Sequence, residues 1–300
     1  MKRGIFLSVS ASALFAFMFY YVTLLQPFDG GVIFSWRILL GLPVIAVVAH
    51  RSKGWGAIRD TGRELSHQPR FLLLTLLSAA LLGIQLWLFV WAPLHGRALE
   101  VSMGYFLLPL AMVVVGRVLY QEQLSRWQRY AVWLAALGVM HELWRVGGVS
   151  WVTALVVLGY PPYFVLRRAL RVSSLTAIWY DMALLLPAAV LLMQLQGLDI
   201  VQAFVARPAL LLLVPLFGVI SSVALLFYLA ASRMLPLGLF GILSYVEPML
   251  LFWVGFLVLG ESVPLAQWLT YLPIWLALLL VALEGLQKWR ARARHHGPAI

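Results

Sequence analysis

Long apolar stretches, each near the twenty residues a helix needs to cross a bilayer, follow one another along most of this chain. They fall at roughly 4–25, 31–49, 71–93, 100–119, 127–144, 149–167, 175–196, 208–231, 236–259 and 264–284. Turn and charge signals separate them: Pro27 to Gly31, a polar run over 50–70, His95-Gly96-Arg97, Gly147-Gly148, and Gly197 to Arg207. The pattern predicts an all-α polytopic membrane protein of ten transmembrane helices, with the fifth and sixth nearly contiguous. The first stretch follows Met1-Lys2-Arg3, yet it is too long for a signal peptide and ends without a convincing cleavage site. It reads as a retained span.

The pattern also repeats. Residues 104–128 return at 243–267: Pro109 matches Pro248, Gly116 matches Gly255, Glu122 matches Glu261 and Gln128 matches Gln267. A looser echo at an offset of 144 pairs Trp36 with Tyr180, Arg37 with Asp181 and Pro43 with Pro187. Two related halves, each with an odd number of spans, must be inverted relative to each other in the membrane. This predicts two inverted five-helix repeats, 1–146 and 147–284, followed by a basic tail at 285–300. Inverted repeats with broken helices at mid-membrane are how many secondary transporters build their binding sites.

Composition agrees on the solvent. The chain is 63% hydrophobic and 11% charged, with a mean hydropathy of +0.94, whereas soluble domains carry about a quarter charged residues. The absence of cysteine excludes disulfides, thiol catalysis and Cys-ligated metals. The net charge of +11 raises the question of nucleic acid, but its distribution argues against it. With a cytoplasmic N-terminus, 18 of the 22 Lys and Arg residues fall on the cytoplasmic side, leaving Arg97, Arg145 and Arg207 outside and Arg37 within a span. A wrong span count would scramble that asymmetry. Both termini are therefore expected in the cytoplasm, with the basic tail facing lipid headgroups.

Glu247 is the strongest single candidate for chemistry. It lies about halfway along the ninth stretch, where an ionisable group is costly unless it faces a partner or a water-filled cavity. Pro248 follows it and should leave the Ser244 carbonyl without its helical donor. Ser244, Tyr245 and Glu247 would then surround an exposed backbone acceptor suited to a proton, a cation or a polar substrate. A protonated Glu247 bonded to a neighbouring helix is the alternative. Pro109 should free the Tyr105 carbonyl in the same way, and Ser102, Tyr105, Phe106 and Pro109 share one helical face. Leu108 matches Glu247, so any coupling charge resides in the second half. Gln85, Trp87 and Trp91 on the third span and Ser221 with Tyr228 on the eighth add hydrogen bonding and flat aromatic surface. An interfacial aromatic belt accounts equally for Trp87 and Trp91.

Arg37 and Asp181 invite pairing, but their spans enter from opposite sides, so each should sit in a different leaflet. Arg37 could reach Glu100 at the start of the fourth span, and Asp181 could reach Arg168, Arg171 or Arg233. Such pairs could gate a pathway or fix helix register. Glu122 and Glu261 are expected to cap the helices that follow them or to pair with nearby bases. Pro161-Pro162 should break the sixth helix. No HExxH or other metal constellation and no phosphate-binding loop appears, so an enzyme is not favoured and no cofactor is expected.

One run is more specific than these physical signals. Leu99-Glu100-Val101-Ser102-Met103-Gly104-Tyr105-Phe106-Leu107-Leu108-Pro109-Leu110 resembles the LEASLGYFxxPL signature of the RarD family, in the EamA group of the drug/metabolite transporter superfamily. Trp36-Arg37-Ile38-Leu39, Leu88-Phe89-Val90-Trp91-Ala92, Gly218 with Ser221, Leu235-Pro236-Leu237, Tyr245-Val246-Glu247-Pro248 and Ile274-Trp275-Leu276-Ala277 extend the likeness in order along the chain. The resemblance implies ten helices in two inverted repeats around a central cavity, a bacterial cytoplasmic membrane location and small-molecule transport. The chain departs from the family pattern at Gln85-Leu86, Ser221, Ala224 and Pro161-Pro162, so the likeness speaks to fold and not to a substrate. The expectation is a secondary transporter of a small organic metabolite or drug, with a passive channel or scramblase, or a membrane-embedded transferase, as alternatives. Its partners are the bilayer and that substrate; one copy or a homodimer is left open.

Overall fold

In a computed structural model, described for residues 2–121, 123, 125–146, 150–195, 200–235, 240, 243 and 245–295, the chain is helical and contains no strand among those residues. Among the described residues twelve α-helices follow in order: α1 (Lys2–Tyr21), α2 (Gly30–Arg51), α3 (Trp55–His67), α4 (Pro69–Leu94), α5 (Ala98–Leu119) and α6 (Arg126–Val146). Then come α7 (Trp151–Leu170), α8 (Ser174–Leu195), α9 (Ile200–Ala206), α10 (Leu210–Met234), α11 (Val246–Trp253) and α12 (Leu265–His295). A 3₁₀ turn extends α1 over Val22–Leu25, and a π turn extends α11 over Val254–Val258.

Among the described residues, seven segments are long and apolar enough to cross a membrane: Lys2–Leu25, α2, α4, α5, α8, Leu210–Ala231 and Leu265–Gln287. The chain is a multi-pass membrane protein. Helices α6 and α7 occupy the fifth and sixth predicted stretches but are less apolar, α6 carrying Arg126, Arg129, Glu142 and Arg145. The ninth stretch contributes a shorter apolar helical segment, Val246–Val258.

Two readings of the sequence need correction. The polar run 50–70 is not merely a connection, because it contains α3. Trp55, Ile58 and Leu65 recur there at helical spacing, and Ile58 and Leu65 are buried. Nor does Pro161-Pro162 break its helix, since α7 is continuous from Trp151 to Leu170. A proline ring fixes φ near the helical value, so each residue forfeits a hydrogen bond without leaving helical space. Pro161 is buried and Tyr163, the residue after the pair, is anchored by a hydrogen bond to Asp181, which offsets the missing bonds.

By internal packing the chain divides into two compact units. The first comprises 1–17, 97–157 and 224–300, and the second 18–96 and 158–223, so the divisions fall inside α1, α7 and α10. In the second unit α2 and α8 run antiparallel: Ser35 Oγ donates to the Ala189 carbonyl (2.7 Å), Gly41 lies against Met182, and Gly54 against Leu175. Helix α4 joins them with Gly83 against Leu185. Asp29 starts α2, its Oδ1 accepting from the Gly31 and Val32 amides at 2.9 Å each.

The first unit is built on α6 and α12, also antiparallel, with α5 and α11 beside them. Its core gathers Phe106, Phe252, Tyr271 and Ile274, all essentially inaccessible. Phe252 is central, with ring centroids 4.9 Å from Tyr271 and 5.2 Å from Trp275, both edge-on. Membrane helices associate largely through such close packing, because lipid offers no hydrophobic drive between them. Gly138 shows how tight the seam is: a Cβ there would stand 2.7 Å from the Thr270 carbonyl oxygen. We therefore expect Gly138→Ala to force α6 and α12 apart, at a cost of about 1–3 kcal/mol. Thermal unfolding of the purified protein in detergent would register this as a lowered midpoint, and an unchanged midpoint would refute the tight seam.

Candidate functional site

The ninth stretch departs from a plain spanning helix at the point where its chemistry lies. Helix α11 begins at Val246, directly after Tyr245, so Glu247 and Pro248 stand in its first turn. A proline is well tolerated there because first-turn amides have no helical acceptor to lose. The same turn is the positive end of the helix dipole, which favours a carboxylate at Glu247. Eight residues later the backbone widens into the π turn Val254–Val258, a form often met at functional positions. Glu247 is half-buried and Pro248 buried. Ser244, expected to offer a freed carbonyl, lies outside the described residues.

Tyr105 and Tyr245 belong to the same unit as Glu247. Tyr245 packs on the Phe106–Phe252 core, and Tyr105 is half-buried on α5. Two other members of the Ser102–Tyr105–Phe106–Pro109 stripe are committed to packing. Ser102 Oγ donates to the Pro248 carbonyl (3.4 Å), and Phe106 meets Phe252 and Trp275. Helix α5 continues through Pro109 to Leu119.

Gln85, Trp91 and Ser221 belong to the other unit. Gln85 is buried and directed at α7, where a Cβ on Gly159 would stand 2.1 Å from its Nε2. Trp91 sits in a ladder along α4, its ring 5.4 Å from Trp87 and stacked on His95 at 4.1 Å. Ser221 is half-buried on α10, beside Ser222, whose hydroxyl is spent on the Gly218 carbonyl at 2.7 Å.

Arg37 is buried with its guanidinium 5.3 Å from the Phe89 ring centre. Glu100 accepts from Arg97 (3.4 Å) and from Ser150 Oγ. Asp181 is wholly buried and accepts from Ser78 Oγ on α4 and the Tyr163 hydroxyl on α7, both at 3.3 Å. Among the cations, Arg167 acts on it electrostatically. One carboxylate thus fastens three helices. Arg37 and Asp181 do lie far apart: Arg37 is level with Phe89 on α4, whereas Asp181 is level with Ser78, eleven residues earlier and so about 16 Å along the helix.

Glu261 was expected to cap the helix after it, but it caps α5. Its two oxygens accept from the Ala98 amide at 2.6 Å and the Leu99 amide at 2.8 Å. Gly255, against Ala98 and Leu99, brings the chain close enough for this. Burial pushes the Glu261 carboxyl up, and the two amides draw it part-way back. Its repeat-mate Glu122 lies outside the described residues.

Near Glu261 is a polar knot that sequence reasoning missed. Glu142 accepts two hydrogen bonds from Arg145 (2.6 and 3.2 Å) and one from Thr270 (2.8 Å), while His141 lies 2.9 Å from Thr270. Thr153 donates to the Glu100 carbonyl at 2.8 Å. Glu100, Glu142, Ser150, Thr153, Gln267 and Thr270 line a cavity of about 50 Å³ with Tyr271 and apolar residues beneath, room for a few waters. The His141-Glu142 pair with Arg145 one turn later was its only sequence signal. Among the described residues, no three His, Asp or Glu side chains gather as a metal site.

The chain is 44% identical over 292 residues to the chloramphenicol-sensitive protein RarD of Pseudomonas aeruginosa, covering 97% of each chain. It belongs to the RarD family. An uncharacterized transporter of Pasteurella multocida is 39% identical over 97% of this chain and 99% of its own. A RarD protein of Streptomyces exfoliatus is 28% identical over 100% and 95%. A crystal structure of a protein at 18% identity matches 94% of this chain and 98% of its own with a TM-score of 0.56, a likeness of fold alone. No protein-family model matches the chain. With RarD and transporter relatives over its whole length, this RarD-family chain is a bacterial membrane transporter.

Two outcomes follow. Glu261→Ala should cost about 1–2 kcal/mol through the lost cap and speed hydrogen exchange at the Ala98 and Leu99 amides; unchanged exchange would contradict the cap. Gly159→Ala should displace Gln85, and loss of thermal stability in that variant should be relieved by Gln85→Ala in the double variant.

Proposed function

We propose that this protein is a secondary transporter that carries a small organic metabolite or drug by alternating access. Its ten spans form two inverted repeats, 1–146 and 147–284, with the 285–300 tail and both termini in the cytoplasm of a bacterial cell. The observation that carries the reading is the interrupted ninth segment: α11 starts at Val246, within an apolar stretch, with Glu247 in its first turn and a π turn at its end. Interrupted helices with charged groups at their ends are the transporter's way of presenting polar atoms to a substrate inside the membrane.

Two helix pairs support the inverted repeat. Ser35 meets Ala189 and Gly41 meets Met182, so the α2–α8 contact is centred near Leu40 and Leu184, which are mates at the offset of 144. Gly138 meets Thr270 and Ile274, and His141 meets Thr270, which centres the α6–α12 contact near Ala135 and Ile274, mates at the offset of 139. Antiparallel contact between mates is what a local two-fold axis in the membrane plane produces.

In this reading Glu247 carries proton or cation coupling. Tyr105, Tyr245 and Ser244 are candidate substrate contacts from its own unit, and Gln85, Trp91 and Ser221 from the other. Pro109 and Pro248 supply bending points. Transport needs no covalent chemistry, which fits the transporter relatives, and the carrier does not act as an enzyme.

Purified protein should first be screened by thermal shift against metabolites and antibiotics, chloramphenicol included because one relative is named for it. A stabilising compound, tested in reconstituted vesicles, should show saturable flux and counterflow. Glu247→Gln should lower the pH-dependent part of that flux about tenfold or more. Non-saturating flux without counterflow would mark a channel instead, and full retention of pH-dependent flux would remove Glu247 from the mechanism.

A further inference from the structure

One end of the second unit carries a charge imbalance that the transport reading leaves unused. Helices α2 and α4 are each long enough to span and run antiparallel, Gly30 lying against Trp91 and Arg37 over Phe89. Helix α3 joins the end of α2 to the start of α4, so all three connect at a single membrane face. Its apolar side is already covered: the Tyr180 hydroxyl donates to the Ile58 carbonyl (2.7 Å), and Trp55 meets Trp179 edge-on at 5.0 Å. Helix α3 therefore lies across the end of α8 with its polar side turned outward.

The surface around that side is basic. On α3 itself Arg59 and Arg63 are matched by Asp60 and Glu64, but Arg51 at the end of α2, Lys53 in the turn before α3 and Arg70 in the first turn of α4 add three cations, and all seven side chains are exposed. The Arg63–Asp60 pair spans 3.5 Å with both side chains more than 70% exposed, too solvated to cancel much charge. The last turn of α7 and the turn after it add exposed Arg168 and Arg171, because Tyr163 on α7 is bonded to Asp181 and the chain runs outward from there to Leu175 beside Gly54. At the opposite end of this unit, among the described residues, Asp29 caps α2 and Arg207 donates to the Gln26 carbonyl, one charge of each sign.

We propose that the end of α2, α3, the start of α4 and the α7–α8 junction together form a binding surface for anionic phospholipid headgroups. Location selects the partner: the surface lies where two spanning helices end, at the depth of phosphates, with Trp55, Trp179 and Tyr180 supplying the aromatic level of the interface. Several guanidinium groups on one face suit phosphate oxygens, which they bind in two-pronged fashion, and basic clusters beside spanning helices attract anionic lipid. Because α3 also clamps the start of α8, bound lipid would hold α2, α4 and α8 together at that end.

The test uses the full chain in mixed micelles of phosphatidylglycerol and phosphatidylcholine, with retained lipid counted by native mass spectrometry. The wild type should keep phosphatidylglycerol in preference to phosphatidylcholine. The quadruple variant Lys53→Gln/Arg59→Gln/Arg63→Gln/Arg70→Gln should lower that preference about tenfold or more. The variant Arg117→Gln/Arg126→Gln/Arg129→Gln, with charge removed elsewhere, should keep it. Equal retention of both lipids by the wild type would overturn the proposal, as would an unchanged preference in the quadruple variant. Displacement of the bound lipid by millimolar glycerol phosphate would also overturn it, marking a soluble-anion site instead. All the variants change exposed side chains, and unchanged circular dichroism would establish that each is folded.

Discussion

Hydrocarbon supplies no hydrogen bonds, so a polar group inside this protein must find its partner within the chain. The structure meets that demand repeatedly in one way, by bringing a hydroxyl to a backbone carbonyl. Ser35 bonds both the Gly31 and Ala189 carbonyls, Thr75 that of Phe71, Ser222 that of Gly218, and Tyr21 that of Leu213. Small residues at the crossings make the approach possible. Where a carboxylate must be buried, as at Asp181, hydroxyls from two neighbouring helices converge on it. Ser78 and Tyr163 are therefore as much a part of the fold as the apolar core.

This constraint explains what could be read from the sequence. Apolar runs and turn signals locate most of the long helices, because a membrane span has a fixed length and little freedom of composition. The amphipathic α3 was hidden by its own polarity: only Trp55, Ile58 and Leu65 face inward, and the rest resembles a loop. Pro161-Pro162 misled for the opposite reason. Local propensity points to a break, and tertiary contacts at Tyr163 override it.

Side-chain partners were less legible than helices. Glu261 offers no sign in the sequence that it belongs to α5, 163 residues away from Ala98, because a cap requires only proximity to free amides. Glu100 and Asp181 likewise bond hydroxyls that carry no charge pattern to betray them. Glu247 could be singled out because a carboxylate in an apolar run is conspicuous, and the start of α11 at Val246 gives that position a physical setting that periodicity alone did not reveal.

The bond from Glu261 to the Ala98 and Leu99 amides has a mechanical corollary. The segment leaving the π turn is pinned to the first residues of α5, so the tail of α11 and the head of α5 behave as one rigid corner. A displacement of α11 must either drag that corner along or strip two amides of their acceptor.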